Sequence, residues 1–232
     1  MPLSLLSAVN EGLMTITLNR PEKLNAIDDE LAQALLDAIH AAGADPAIRA
    51  LRVLGNGRAF CADRDVSAAP TERSLMLVQA VSSALVRLDK PVLFAVHGWT
   101  IGAGLEWMLD ADVVIASGDS RFKLPEASLG VFVTGGLSAT LTAYAGLGRA
   151  KALTLLGEEF GAQQAHEWGL VWRVVAPEEL AAASLDAARR LASLPPEAAR
   201  GFKRVFNQIG LAAFDEAIRL ENETQRRLLG AG

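Results

Sequence analysis

The stretch from Lys90 to Gly130, KPVLFAVHGWTIGAGLEWMLDADVVIASGDSRFKLPEASLG, constrains the fold of this chain more than any other. Val92 to Val96 is short, wholly apolar and rich in β-formers, which predicts a buried strand. Gly98 and the Gly102-Ala103-Gly104 run break that strand, and Ala103 to Asp110 then predicts a helix. A helix start leaves backbone N–H groups without intrahelical partners and carries a partial positive charge, so it is a natural place to hold an oxyanion. Glu106 lies three residues after Ala103, nearly on the same helix face as that free N–H. A second carboxylate, Glu126, ends the next strand-like segment. A donor and an acid/base group are thereby aimed at one spot.

The rest of the chain alternates strands and helices. Met14 to Leu18 reads as a strand paired with Leu5 to Val9 across Asn10-Glu11-Gly12. Helices are predicted from Asp28 to Ala42 and from Glu72 to Leu88, with a strand at Ala50 to Leu54 between them and another beginning at Val113. After Gly130 helices dominate (Gly136 to Ala145, Arg149 to Leu156, Ala162 to Glu167), with a last strand at Val171 to Val175. From Pro177 onward the pattern is helical, interrupted by Pro195-Pro196. Repeated strand–strand–helix turns predict an α/β fold with a stacked spiral core over 1–176 and a helical region over 177–232.

Composition narrows the functional classes. The chain has 232 residues, 51% of them apolar, enough for one large core. A formal charge of −5 without a basic stripe argues against nucleic acid as partner. No apolar stretch is long enough to span a bilayer, and the N-terminus lacks a basic region followed by an apolar one, so neither a membrane partner nor a signal peptide is expected. The single cysteine, Cys61, cannot form an internal disulfide; a cytoplasmic, reducing location and a buried structural thiol are expected. His40, His97 and His166 have no metal-like spacing, so no metal is expected, and His97 reads as structural.

Several segments together resemble the crotonase superfamily, the enoyl-CoA hydratase/isomerase family: MTITLNRPEKLNAI, GRAFCADRDVS, the KPV…GAGLE block, FKLPEASLG and GLGRAKALTLLGEEFGAQQAHEWGLVWRVV. They cover nearly the whole chain in the expected order. The resemblance implies a ββα spiral with a C-terminal helical oligomerisation region, assembled as a homotrimer or a dimer of trimers. It implies an acyl-CoA substrate, with coenzyme A entering as part of the thioester and no separate cofactor. The backbone N–H groups of Arg64 and Ala103 match the family's oxyanion hole, and Glu106 and Glu126 match its hydratase acid/base pair. Hydration of a 2-enoyl-CoA to a 3-hydroxyacyl-CoA is the leading expectation; double-bond isomerisation and thioester binding without turnover are the alternatives. Lys23 resembles a position near the coenzyme phosphates, Ala62 and Val66 fall where the adenine is received, and Arg20 is expected in solvent. Trp99, Trp107 and Phe132 are candidates to line the acyl pocket, with a core role as the alternative for each.

The chain departs from the family's pattern at defined points. Asp63 stands where relatives carry glycine before the oxyanion donor, and its charge is unwelcome beside a forming enolate unless it turns away or pairs with Arg64. Ala103 replaces a middle glycine. Val133 and Thr134 replace a Pro-Gly pair; the Thr134 hydroxyl either holds the water or caps the next helix. The C-terminal region ends at Gly232, shorter than usual for the family, which is expected to leave the adenine end of the coenzyme exposed. Leu211, Phe214, Ala217 and Ile218 form a helical stripe expected to serve assembly.

Overall fold

The computed structural model describes residues 3–67 and 71–230. The first turn of the spiral is a hairpin of β1 (Leu5–Asn10) and β2 (Leu13–Leu18), followed by α1 (Asp29–Ala44). Glu11 and Gly12 both take positive φ, the geometry that lets a two-residue turn follow the twist of its strands. Asp28 starts α1 by accepting the N–H of Leu31 at 2.8 Å.

Three further turns repeat the plan. They are β3 (Ala50–Gly55), β4 (Cys61–Ala62) and α2 (Glu72–Arg87); β5 (Val92–Val96), β6 (Trp99–Ile101) and α3 (Ala103–Leu109); and β7 (Val113–Ser117), β8 (Arg121–Lys123) and α4 (Leu137–Ala145). Then come α5 (Leu147–Leu156), β9 (Phe160–Gly161), α6 (Ala162–Glu167), β10 (Arg173–Val175), α7 (Leu180–Ser193), α8 (Pro196–Gly210) and α9 (Phe214–Leu228). The first strand of each of these turns joins a sheet of order β1-β2-β3-β5-β7-β10, parallel except for the opening hairpin. The second joins a smaller sheet of order β4-β6-β8-β9. The expected spiral core is present, and the helices predicted from periodicity fall within a few residues of their expected bounds.

The smaller sheet carries no sequence signal of its own. Its strands are two or three residues long, too short for an alternation to be read, and corner glycines place them. At Gly98, φ is +54 and a Cβ would lie 2.1 Å from the Arg58 carbonyl oxygen, so only glycine turns β5 into β6 here.

The main core fills the spiral with Ile16, Leu35, Phe60, Phe94, Trp107 and Phe122 among its largest buried side chains. A second cluster sits on the other face of the large sheet, where Leu13, Ala50, Leu93 and Ile115 meet Leu180, Ala188 and Ala192 of α7. Burial on both faces is the reason Val92 to Val96 is apolar at every position. Cys61 is fully buried in the main core, and burial pushes its thiol pKa up, as befits a structural thiol.

The C-terminal helices close over the spiral. Lys203 of α8 is buried and donates to the carbonyls of Leu85 and Lys90 and to Asp112 at 2.8 Å. Helix α9 lies against α4, which accounts for half of the 211–218 stripe: Phe214 and Ala217 are buried within the chain, the Phe214 ring against Gly136, while Leu211 and Ile218 stay half-buried. The exposed apolar stripe is instead Phe202, Val205, Phe206 and Ile209 of α8. Gly232 lies outside the described residues. Among the described residues no helix is long and apolar enough to cross a membrane.

Asn25 ties the first turn of the spiral to the second. It is fully buried with φ +56; its amide donates to the carbonyls of Asn56 and Ala59 at 2.9 Å each, and its oxygen accepts the Arg20 N–H at 2.8 Å. Asn25→Ala strands three backbone groups, so a loss of about 3 kcal/mol is expected in urea unfolding monitored by circular dichroism.

Candidate active site

Strand pairing in the smaller sheet brings two turns of the spiral to one point. Cys61 pairs with Thr100 and Ala62 with Ile101, so Asp63 comes level with Gly102 just as both strands end. The Arg64 N–H and the Ala103 N–H then point at a single oxygen, 2.7 and 3.0 Å away. That oxygen is Oδ1 of Asp63 itself. Asp63 holds φ at +73, an unfavourable region for a residue with a side chain. Gly102 makes the fit possible, because a Cβ there would lie 2.3 Å from the Asp63 carboxyl carbon. Ile27 anchors the segment by donating to the Asp63 carbonyl and accepting the Asp65 N–H, both at 2.8 Å.

The two glutamates expected as a pair are both buried beside this point. Glu106 lies on α3, every residue of which is buried, and Glu126 starts the short 3-10 turn after β8. Glu106 Oε1 accepts the Thr134 N–H at 3.2 Å, whereas Glu106 Oε2 and Glu126 Oε2 have no hydrogen-bond partner. Burial pushes the Glu126 carboxyl from 4.5 up to about 7, with the Asp63 charge adding to it. Burial also holds Glu106 well above the carboxylate range, reinforced by the charges of Glu126 and Glu221. The Glu126 charge is thus one of the influences that favour a proton on Glu106. Gly135 gives Glu106 room: a Cβ there would lie 2.5 Å from Glu106 Oε2 and 2.6 Å from Ser82 Oγ.

The segment carrying Thr134 is held by groups that sequence reasoning missed. Glu221 of α9 accepts the N–H groups of Gly136 and Ser138 at 2.8 Å each, and the Ser138 hydroxyl at 2.6 Å. Gln225, one turn further, accepts the Phe132 N–H at 2.6 Å. Glu221, not Thr134, therefore caps α4, and Thr134 acts on Glu106 through its backbone. The only sequence signal was a pair of polar residues four apart on the inner face of an amphipathic helix. Also missed was Asp110, buried one turn after Glu106 with neither oxygen hydrogen-bonded.

Two cavities flank the site. One, of about 570 Å³, is lined by Arg20, Ile27, Asp29, Arg64, Val66 and Ser74 among others. Arg20, expected in solvent, is half-buried there and pairs with Asp28 at 2.9 Å and Asp65 at 3.0 Å. Lys23 is exposed, and neither Lys23 nor Ala62 is among the lining side chains. The other, of about 300 Å³, is apolar and bordered by Glu126, Phe132, Val133, Leu137 and Leu141. Trp99 lines neither cavity; Trp107 is a core residue whose Nε1–H donates to the Val78 carbonyl at 3.1 Å. His97 bonds the Gly57 carbonyl at 2.9 Å through Nε2.

A ββα spiral with two buried glutamates beside a convergent pair of backbone N–H groups defines the crotonase class. The chain belongs to the enoyl-CoA hydratase/isomerase family, whose family model matches residues 8–228. It is 38% identical to the 1,2-epoxyphenylacetyl-CoA isomerase of Escherichia coli (strain K12), over 96% of this chain and 88% of that protein. It is 31% identical to the 2,3-dehydroadipyl-CoA hydratase of the same organism, over 92% and 85%. In structure it resembles an enoyl-CoA hydratase from Mycobacterium avium subsp. paratuberculosis K-10, with a TM-score of 0.93, 31% identity, and 97% and 93% of the two chains covered.

The raised carboxyl of Glu126 fixes the sign of a stability effect. The folded state holds this proton more tightly than the unfolded chain does. Its contribution is therefore complete below about pH 4.5 and is lost as pH rises through about 7. Glu126→Gln removes that loss, on the order of 3 kcal/mol at most. The variant is expected to melt several degrees above the unaltered protein at pH 8, with the difference closing toward pH 4. Equal melting temperatures at both pH values would mean that Glu126 is not desolvated.

Proposed function

We propose that the protein hydrates a 2-enoyl-CoA to a 3-hydroxyacyl-CoA. One observation carries this reading: two buried carboxyls, each with an unpartnered oxygen, lie beside two N–H groups that converge on one oxygen. Hydration needs a base for the water proton and an acid for the α-carbon. Burial favours the protonated form of Glu106, and Glu126, raised to about 7, is poised to gain or lose a proton near neutral pH. As the water oxygen bonds to the β-carbon, the ionised carboxyl takes a water proton and the protonated carboxyl supplies the α-carbon. Charge that gathers on the thioester oxygen falls to the Arg64 and Ala103 N–H groups, each such donor contributing ~3–4 kcal/mol to the transition state.

The apolar cavity beside Glu126 suits the acyl group, and the larger cavity bordered by Arg64 and Val66 suits the pantetheine and nucleotide. Arg20 is already paired with Asp28 and Asp65, which leaves Arg64 as the lining cation without an ion-pair partner among the described residues. Double-bond isomerisation is the second reading, favoured by a Glu126 carboxyl near pH 7 that can carry one proton between two carbons of the same enolate. A panel of 2-enoyl- and 3-enoyl-CoAs separates the two. Hydration consumes the conjugated absorbance of the 2-enoyl thioester, isomerisation creates it from the 3-enoyl thioester, and neither change would sink both readings.

Glu106→Gln and Glu126→Gln are each expected to lower kcat by roughly 10²–10⁴-fold while leaving acyl-CoA affinity nearly unchanged. Retention of most of the turnover in either variant would remove that glutamate from the mechanism. The protein is also proposed to work as a trimer or a dimer of trimers, with the α8 stripe of Phe202, Val205, Phe206 and Ile209 within an interface. Light scattering at micromolar concentration should give a trimeric or hexameric mass, and Phe206→Asp should reduce it; a monomeric unaltered protein would refute the assembly.

A further inference from the structure

The two donors that should receive the substrate oxygen are already satisfied from within the chain. Asp63 Oδ1 accepts both N–H groups at 2.7 and 3.0 Å, so the point where a thioester oxygen would sit is filled by a carboxylate of the enzyme. We propose that Asp63 is a built-in competitor for the oxyanion hole, and that a thioester carbonyl binds only by displacing its side chain. The inference rests on reading the Arg64 and Ala103 N–H pair as that hole.

Three features make this more than a chance rotamer. The carboxylate lies flat against Gly102, a position where any Cβ would collide with it, so the surrounding backbone is shaped around the side chain. The backbone of Asp63 stays in the left-handed region, which costs a residue with a Cβ and is recovered through the two charge-assisted bonds. Displacement also has a destination: Arg64 Nη1 is buried without a hydrogen-bond partner, and the guanidinium charge acts on both Asp63 and Glu126.

The energetics follow from competition. A neutral thioester oxygen is a weaker acceptor than a carboxylate for the same pair of N–H groups. Apparent thioester affinity is therefore reduced by the fraction of molecules in which the hole is open. That reduction applies only to a ligand that presents a carbonyl oxygen. A coenzyme A thioether with a methylene in place of the carbonyl leaves Asp63 where it is and is blind to the substitution.

The test uses the full chain and two ligands of equal length, butyryl-CoA and S-butyl-CoA, titrated by calorimetry. Asp63→Gly suits the positive φ and empties the hole, so butyryl-CoA should bind roughly tenfold tighter or better, while S-butyl-CoA is unchanged. Asp63→Asn keeps the shape and loses the charge, so it should fall between the two, and it remains informative if the glycine variant is unstable. Equal affinities for butyryl-CoA in all three proteins, or an equal gain for both ligands, would overturn the proposal with the hydratase reading intact. Loss of binding of both ligands in all three would overturn that reading, and the proposal with it.

Discussion

The meeting of two backbone N–H groups at one oxygen depends on the register of two very short strands. Cys61 faces Thr100 and Ala62 faces Ile101, and the chain leaves both strands at the next position. A slip of one residue would send Arg64 and Ala103 to different places. Strands of two and three residues cannot hold that register by themselves. They inherit it from the long parallel pairing of β3 with β5 in the larger sheet, through corners such as Gly98. The chemistry of the site thus hangs on packing in a layer that supplies none of its functional groups.

The same dependence governs the carboxyls. A lone buried carboxylate is costly without a partner, and Glu106, Glu126, Asp63 and Asp110 are all desolvated and pushed toward their protonated forms. Their clustering stores free energy against folding that the large core must offset. Helix α9 contributes to holding the cluster together: Glu221 and Gln225 fasten the segment from Phe132 to Ser138, and Thr134 in that segment fixes one oxygen of Glu106. A helix far along the chain therefore helps to place the Glu106 carboxyl, through the Thr134 N–H.

Much of this was legible in the sequence, and the remainder was hidden for physical reasons. The spiral core, the main helices and the burial of Glu106 followed from periodicity and from the apolar neighbours of α3. The smaller sheet did not, because pattern needs length. Arg20 was expected in solvent and Lys23 near the ligand, whereas Arg20 lines the cavity and Lys23 is exposed; the reason lies in Asp28 and in Asp65, forty-five positions away along the chain, which hold Arg20 there. The stripe from Leu211 to Ile218 was apolar for packing on α4, and the exposed stripe lay one helix earlier; amphipathicity says that a face is covered, not by what. Asp63 was visible as a departure from glycine, but its carboxylate turns inward only because the fold brings the Ala103 N–H beside it.

A carboxylate in the proposed oxyanion hole also bears on what such a hole prefers. The two N–H groups are preorganised for a negative oxygen, and Asp63 supplies one in the resting protein. A thioester carbonyl is neutral in the ground state and gains charge only as the enolate forms, so it competes poorly at first and well later. If the carbonyl displaces Asp63 on binding, the cost falls on ground state and transition state alike, raising KM and leaving kcat untouched. If Asp63 leaves only as charge develops, the cost falls on the transition state alone and lowers kcat. The unpartnered nitrogen of Arg64 offers a place to go before any enolate exists. That destination favours departure on binding, in which case Asp63 controls substrate affinity more than the rate of the chemical step.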